Sequence, residues 1–246
     1  MIVEPEPRDG AWNMAVDETL LEAALHEQVC TVRWYRWDPP TISLGYFQQA
    51  PEQVLSAPPL PVVRRLSGGG AILHDQEWTY SIAVPPSHEF TPCPERLYLA
   101  VHEQLIDWLN SRGVMARLRN ETFVPSSEPF LCFGRGDPRD IVVGPHKVVG
   151  SAQRRRQRAI LQHGSLLLRR SRHAPEFPGL LDLGMTNTPT FDEIRELGLT
   201  IGNILSQSVC SDTLTGVEQL RIQNLMESRY RQPEWTNRNA ISSKQK

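Results

Sequence analysis

Two stretches of this chain hold residue types that packing alone explains poorly. The first, RRLSGGGAILHD (64–75), sets two arginines ahead of three consecutive glycines and a His-Asp pair behind them. Three glycines in a row cost backbone entropy, so such a run belongs where the chain turns sharply or where something approaches the backbone closely. The second, CFGRGDPRDIVVGPHKVVGSAQRRRQRAILQHGSLLL (132–168), places Lys147 just ahead of Gly150-Ser151-Ala152-Gln153. That puts a cation beside small residues that would let a substrate reach the main chain. Each stretch has a plainer reading as well: a glycine-rich hairpin with exposed arginines, and a solvated surface lysine.

The elements that must position these residues are short strands and a few amphipathic helices. A helix is expected over Ala11–Glu27, capped by Asn13 or Asp9 and burying Met14, Ala15, Leu21, Ala24 and Leu25. TVRWYRW (31–37), TISLGYF (41–47), PVVRRLS (61–67), AILHD (71–75) and TYSIAVP (79–85) read as strands. A second helix fits Pro94–Arg112, with Leu97, Ala100, Val101, Leu105, Trp108 and Leu109 inward and Gly113 as its stop. A hairpin follows, 141–143 turning at Gly144-Pro145-His146 into 147–150, and then a strand at 159–168. Helices are expected at Thr190–Gly198 and Thr213–Arg231. Several short strands joined by tight turns imply a mixed or largely antiparallel sheet flanked by helices, an α/β (α+β) fold.

Bulk properties narrow the function. The 246 residues suit one α/β domain with extra helices, and 39% hydrophobic with 22% charged residues is an ordinary globular balance. A net charge of −2 argues against a general nucleic-acid binder. No apolar run approaches the roughly 18 residues that a membrane span needs, and the acidic start MIVEPEPRDG is unlike a signal peptide, so a cytoplasmic protein is expected. The four cysteines, at 30, 93, 132 and 210, form no CxxC pair and no zinc-like spacing, which predicts free thiols and no metal site.

Taken together, the two stretches resemble the lipoyl branch of the biotin and lipoate protein ligase superfamily. That branch carries an RR-x-S-GGG-A-x-x-HD loop, here 64–75, and a K-[VI]-x-GSA-[QY]…HG-[ST]-[LI]-L stretch, here 147–168. WNMAVDETLL (12–21) is similar to the family's opening helix, and SRYRQPEW (228–235) to its closing helix and tryptophan. The resemblance implies the class II synthetase-like catalytic domain over residues 1–236, with a polar, mobile tail at 237–246. It implies an acyl chain in a slot beneath Gly68–Gly70, with Lys147 reaching the acyl carbonyl. Site roles then fall on Arg65, Gly68, Gly69, Gly70, His74, Lys147, Gly150, Ser151 and His163.

The family holds two main chemistries. Lipoate–protein ligases activate a free acid with ATP and Mg. Octanoyltransferases take the acyl group as a thioester from acyl carrier protein, hold it on a cysteine, and pass it to a lysine of a lipoyl domain or of glycine cleavage H protein. A thioester is already activated, so the transferase needs no nucleotide cofactor, only a thiolate, positive charge and an apolar slot. Cys132 lies fifteen residues before Lys147, where the LipM type of octanoyltransferase places its nucleophile. Its plainer role is a small buried hydrophobe beside Phe130, Leu131 and Phe133. The resemblance therefore implies an octanoyltransferase with Cys132 and Lys147 as catalytic residues. The alternatives are an ATP-dependent lipoate–protein ligase and an acyl-binding module without turnover, in which Cys132 and Lys147 could be replaced without consequence. An octanoyl amidotransferase and a biotin–protein ligase fit the glycine loops less well.

Other residues have simpler readings. Cys30, Cys93 and Cys210 read as structural, and Trp34, Trp37, Trp78 and Tyr80 as core or slot-lining aromatics. Arg154, Arg155, Arg156 and Arg158 form a solvated face that could steer acidic carrier domains. Neutralising all four would then flatten the salt dependence of transfer. Neither His74 nor His163 has a carboxylate partner visible in the sequence, and Asp75 points away from His74 on a strand.

Overall fold

The structure, a computed structural model, describes residues 1–49, 60–121 and 130–238. Seven strands, β1 (Ile2–Val3), β2 (Thr31–Tyr35), β6 (Glu77–Val84), β7 (Ala116–Leu118), β8 (Ile141–Val143), β9 (His146–Arg156) and β10 (Ala159–Leu167), form its central sheet. Their order across it is β1-β2-β6-β10-β9-β8-β7. Only β1–β2 pair in parallel; the other neighbours are antiparallel. A smaller sheet joins β4 (Val62–Arg64), β3 (Thr41–Leu44) and β5 (Ile72–His74) in that order. The mixed sheet flanked by helices is thus the α/β architecture expected from the strand pattern.

Each face of the large sheet has its own helical cover. On one face α2 (Pro94–Ser111) and α3 (Phe191–Leu205) bury Leu97, Val101, Leu105, Ile194 and Ile201 against Trp34, Tyr80, Ile82 and Val149. On the other, α1 (Gly10–Glu27) is covered by α4 (Gly216–Leu225), with Met14, Leu20, Ile222 and Leu225 in one apolar cluster. Asp9 caps α1, accepting from Trp12 N at 2.7 Å. Asn13 is not a cap: it is buried inside the helix and donates to the carbonyls of Arg8 and Arg36. Because α1 is enclosed by sheet and helix together, it also buries Asp17, Glu18 and Thr19. The single apolar stripe expected for it is too narrow.

Three boundaries differ from the sequence reading for identifiable reasons. α3 runs beyond Gly198 because that glycine lies against Trp34 and Met1, where a side chain would collide. It is a packing glycine inside the helix, not a stop. α4 begins only after Thr215, whose hydroxyl accepts from Glu218 N while Glu218 caps back, and a π-helical turn, Met226–Tyr230, leads toward α5 (Pro233–Asn237). β9 extends well past residue 150, because Gln157 and Arg158 both take positive φ (47° and 72°) and make a tight two-residue turn into β10. QR carries none of the Asn-Gly signal that usually announces such a turn. α5 ends at Asn237, and residues 239–246 of the expected tail lie outside the described residues. No helix among the described residues is long and apolar enough to cross a membrane.

Candidate active site

The glycine stretch and the Cys132 stretch are far apart in sequence but are stitched together edge to edge. Cys132 N donates to Ala71 O at 2.6 Å and Ala71 N donates to Phe130 O at 3.1 Å. This bridge sets the 3₁₀ turn Cys132–Gly134 beside the end of the glycine loop. Lys147 reaches it from β9, with Nζ 3.9 Å from Cys132 Sγ and 5.2 Å from the Phe133 ring centre. Its ammonium is also held by Asp140, whose Oδ1 is 2.9 Å away and whose Oδ2 accepts from Asp137 N. Both partners of that ion pair are buried, and burial outweighs the neighbouring ammonium, leaving the Asp140 carboxyl above its ordinary pKa. Gly150 makes room for the lysine: a methyl there would stand 2.8 Å from Nζ.

Inward from this pair lies a slot whose mouth is open to solvent. The large sheet lines it through Tyr35, Thr79, His163, Ser165, Gly150 and Ala152; the small sheet and its loop add Ser43, Ile72, His74 and Gly69. Trp37 and Met14 complete the wall. The lining polar groups are turned on one another. Trp37 Nε1 donates to Thr79 Oγ1 at 2.8 Å, while Thr79 and Ser165 hydroxyls donate to Glu77 Oε1 at 2.6 and 3.0 Å. What they offer the slot is their carbon.

Both slot histidines have carboxylate partners after all. His74 Nδ1 meets Glu77 Oε1 at 2.6 Å and Nε2 meets Ser43 Oγ at 2.7 Å, while the ring stacks on Trp37 with centres 3.8 Å apart. Burial lowers the His74 pKa, favouring the neutral ring. His163 Nδ1 meets Asp17 Oδ2 at 3.2 Å, and its Nε2 meets Ser67 Oγ. Burial alone would raise the Asp17 pKa, but the His163 hydrogen bond and the Arg33 charge more than reverse it. With both nitrogens of each ring engaged, these histidines brace the slot. Asp75 does turn away from His74, accepting from Ser171 Oγ at 2.7 Å.

Arg64 and Arg65 are not exposed hairpin arginines; both are fully buried. Arg65 spends every N–H on the roof of the slot: Nε on Ser67 Oγ, Nη1 on Ser43 O and Oγ, Nη2 on Gly68 O and Gly70 O. Burial pushes its pKa down to about 10. It therefore links Ser43 of the His74 relay to Ser67 of the His163 relay and holds the glycine loop closed. Within that loop Gly69 needs its missing side chain for a φ of +92°; Gly68 and Gly70 do not line the slot. Arg64 ties the loop strand to the C-terminal helix, donating to Thr236 O while Trp235 Nε1 donates to Arg64 O at 2.9 Å. This explains why a tryptophan so far along the chain accompanies the glycine loop.

Ser151 is the residue whose placement departs most from expectation. It borders the slot, but its hydroxyl contacts Tyr80 OH at 2.5 Å and His102 Nε2 at 2.7 Å, groups that do not line the slot. His102 Nδ1 is 2.6 Å from Arg139 O and so carries the proton, leaving Nε2 to accept from Ser151. Burial lowers the His102 pKa to about 4, so the ring is neutral near pH 7. Ser151 is thus spent on the fold, on the far side of a strand whose alternation turns Gly150 and Ala152 toward the slot.

The remaining expectations resolve by exposure. All four cysteines are free, but Cys93 and Cys210 are surface thiols rather than structural ones. Of the aromatics, Trp37 lines the slot, while Trp34, Trp78 and Tyr80 are core. Arg156 is within 3.3 Å of Glu18 and 3.6 Å of Glu22, and Arg154 lies over Tyr46, so part of the arginine run is already engaged. Among the described residues no cluster of three or more His, Cys, Asp or Glu could hold a metal. Asp140, His102, Asp17 and Glu77 went unrecognised in the sequence. Glu77 stands three residues after His74, a spacing that could have suggested it.

Comparison with known proteins supplies the family. The lipoyl protein ligase A/B catalytic domain matches residues 9–175. An octanoyltransferase LipM of Kyrpidia tusciae is 42% identical over 172 residues, a stretch covering 65% of this chain but only 62% of that relative. One from Halalkalibacterium halodurans is 28% identical over 95% of this chain and 96% of its own. Among solved structures, a putative lipoate protein ligase of T. acidophilum superposes with a TM-score of 0.74 over 96% of both chains at 22% identity, a likeness of fold.

Proposed function

Because the chain belongs to the lipoyl protein ligase A/B catalytic-domain family, we propose that it is an octanoyltransferase that uses Cys132 as its acyl carrier. The donor is octanoyl-acyl carrier protein, and the acceptor is a lysine of a lipoyl domain or glycine cleavage H protein, all in the cytoplasm. One observation carries the reading: a half-buried thiol stands 3.9 Å from a lysine ammonium at the mouth of an apolar slot. The Cys132 thiolate attacks the donor's thioester carbonyl, forming a new C–S bond as the carrier's thiolate leaves and takes up a proton. The neutral acceptor amine then attacks the Cys132 thioester. An amide C–N bond forms, the C–S bond breaks, and the amine's proton is released as Cys132 returns to thiolate. Lys147 lies beside the sulfur in both steps, where its positive charge stabilises the developing oxyanion. Asp140 keeps that ammonium in place. The slot buries the acyl tail, and nothing in the sequence of steps consumes a nucleotide; ATP and Mg belong to the ligase alternative.

The test is mass spectrometry of the chain mixed with octanoyl-acyl carrier protein in the absence of ATP. An octanoyl thioester on Cys132, lost in Cys132→Ala and passed to added lipoyl domain, is the expected result. Lipoyl-domain modification from free acid only when ATP is present, with no adduct on Cys132, would overturn the proposal in favour of a ligase.

A further inference from the structure

The slot has a measurable length. Its lining crosses four neighbouring strands, from Lys147 and Gly150 on β9, through His163 on β10 and Thr79 on β6, to Tyr35 on β2. Three strand spacings are roughly 14 Å. An extended chain advances about 3.3–3.6 Å per three bonds, so the seven C–C bonds of an octanoyl group span roughly 8 Å. A tail anchored on Cys132, at the β9 side of the slot, therefore runs across β10 and ends near β6, short of β2. The helical side chain that meets it there is Met14, buried and projecting from α1, the helix packed on β6, β10 and β2.

We propose that Met14 is the stop that sets acyl-chain length, its flexible thioether closing the inner end of the slot against the terminal methyl. Methionine suits the task because it is unbranched and fills irregular gaps. Met14 also packs in an apolar cluster with Val63 and Ile222, which do not line the slot, so shortening the side chain opens space bordered by carbon. Trimming Met14 to alanine removes three heavy atoms beyond Cβ, room for about two further methylenes. At about 0.8 kcal/mol per buried methylene, each is worth close to a fourfold change in preference. The inference rests on the octanoyl-transfer reading and names the residue that selects its substrate.

The experiment follows thioester formation on Cys132 by mass spectrometry, with hexanoyl-, octanoyl-, decanoyl- and dodecanoyl-pantetheine competing as donors. The full chain is compared with Met14→Ala and with Met14→Val, a milder change that keeps more apolar volume at that position. The decanoyl-to-octanoyl ratio is expected to rise roughly tenfold in Met14→Ala and by less in Met14→Val. Adducts that form with an unchanged ratio in whichever variant folds would sink the length-stop role while leaving the transferase reading intact. No adduct from any donor on the unsubstituted chain would overturn both.

Discussion

Replacing Arg65 with methionine should loosen the slot roof, and the size of the effect can be worked from its contacts. The guanidinium donates to three backbone carbonyls, Ser43 O at 2.8 Å and Gly68 O and Gly70 O at 2.7 Å each. The two serine hydroxyls it also touches keep His74 and His163 as partners, so they lose little. Three charge-assisted bonds at about 1.5–3 kcal/mol each come to roughly 5–9 kcal/mol. Against this, removing the buried cation relieves its desolvation: a pKa lowered from 12.5 to about 10 corresponds to roughly 3 kcal/mol. The hydrogen bonds win, and Arg65→Met should destabilise by roughly 2–6 kcal/mol. For a chain of this length that is a melting-point loss of about 5–20 °C. Thermal unfolding gives the magnitude, and amide hydrogen exchange at Gly68–Ala71 locates it, since the loop should lose protection first. A variant that melts within a degree or two of the parent, with loop protection unchanged, would falsify the claim that Arg65 holds the roof.

Three further outcomes test other contacts. Gly150→Ala should push Lys147 off Cys132 and slow thioester formation at least tenfold; overpacking itself costs only about 1–3 kcal/mol, so a folded variant acylated at the normal rate would refute it. Asp140→Asn leaves a buried ammonium without its anion and should cost about 3–5 kcal/mol in urea unfolding, with Lys147→Met recovering part of the loss in a double-mutant cycle; additive effects would show the pair to be uncoupled. His102 has a folded pKa depressed to about 4, so between pH 6.5 and 4 the unfolded chain takes up a proton that the folded chain refuses, and stability falls as pH drops through that window. From pH 7 to 5 this group should account for roughly 2 kcal/mol, which His102→Gln should abolish; an equal pH dependence in the two proteins would contradict it.

The glycine loop was legible in the sequence because three consecutive glycines are costly, whereas Cys132 and Lys147 stood out only through the motifs shared with the family. Legible too were the strands, whose alternation is local, and the capped start of α1. Sequence also put Arg65 and Ser151 at the site, but their tasks follow from where their side chains point, which a linear string does not carry. The carboxylates are the clearest case. Asp17 meets His163 across 146 positions and Asp140 meets Lys147 only after β8 turns back. Burial then decides the charge states of His74 and His102, since desolvation is a property of the packed interior rather than of a residue's neighbours in the chain. The walls of the slot likewise arise from the stacking of α1 on β2, β6 and β10. Motifs in the chain thus marked the candidate groups, while three-dimensional packing fixed their partners and the protonation of the buried histidines, because both depend on what folding brings together.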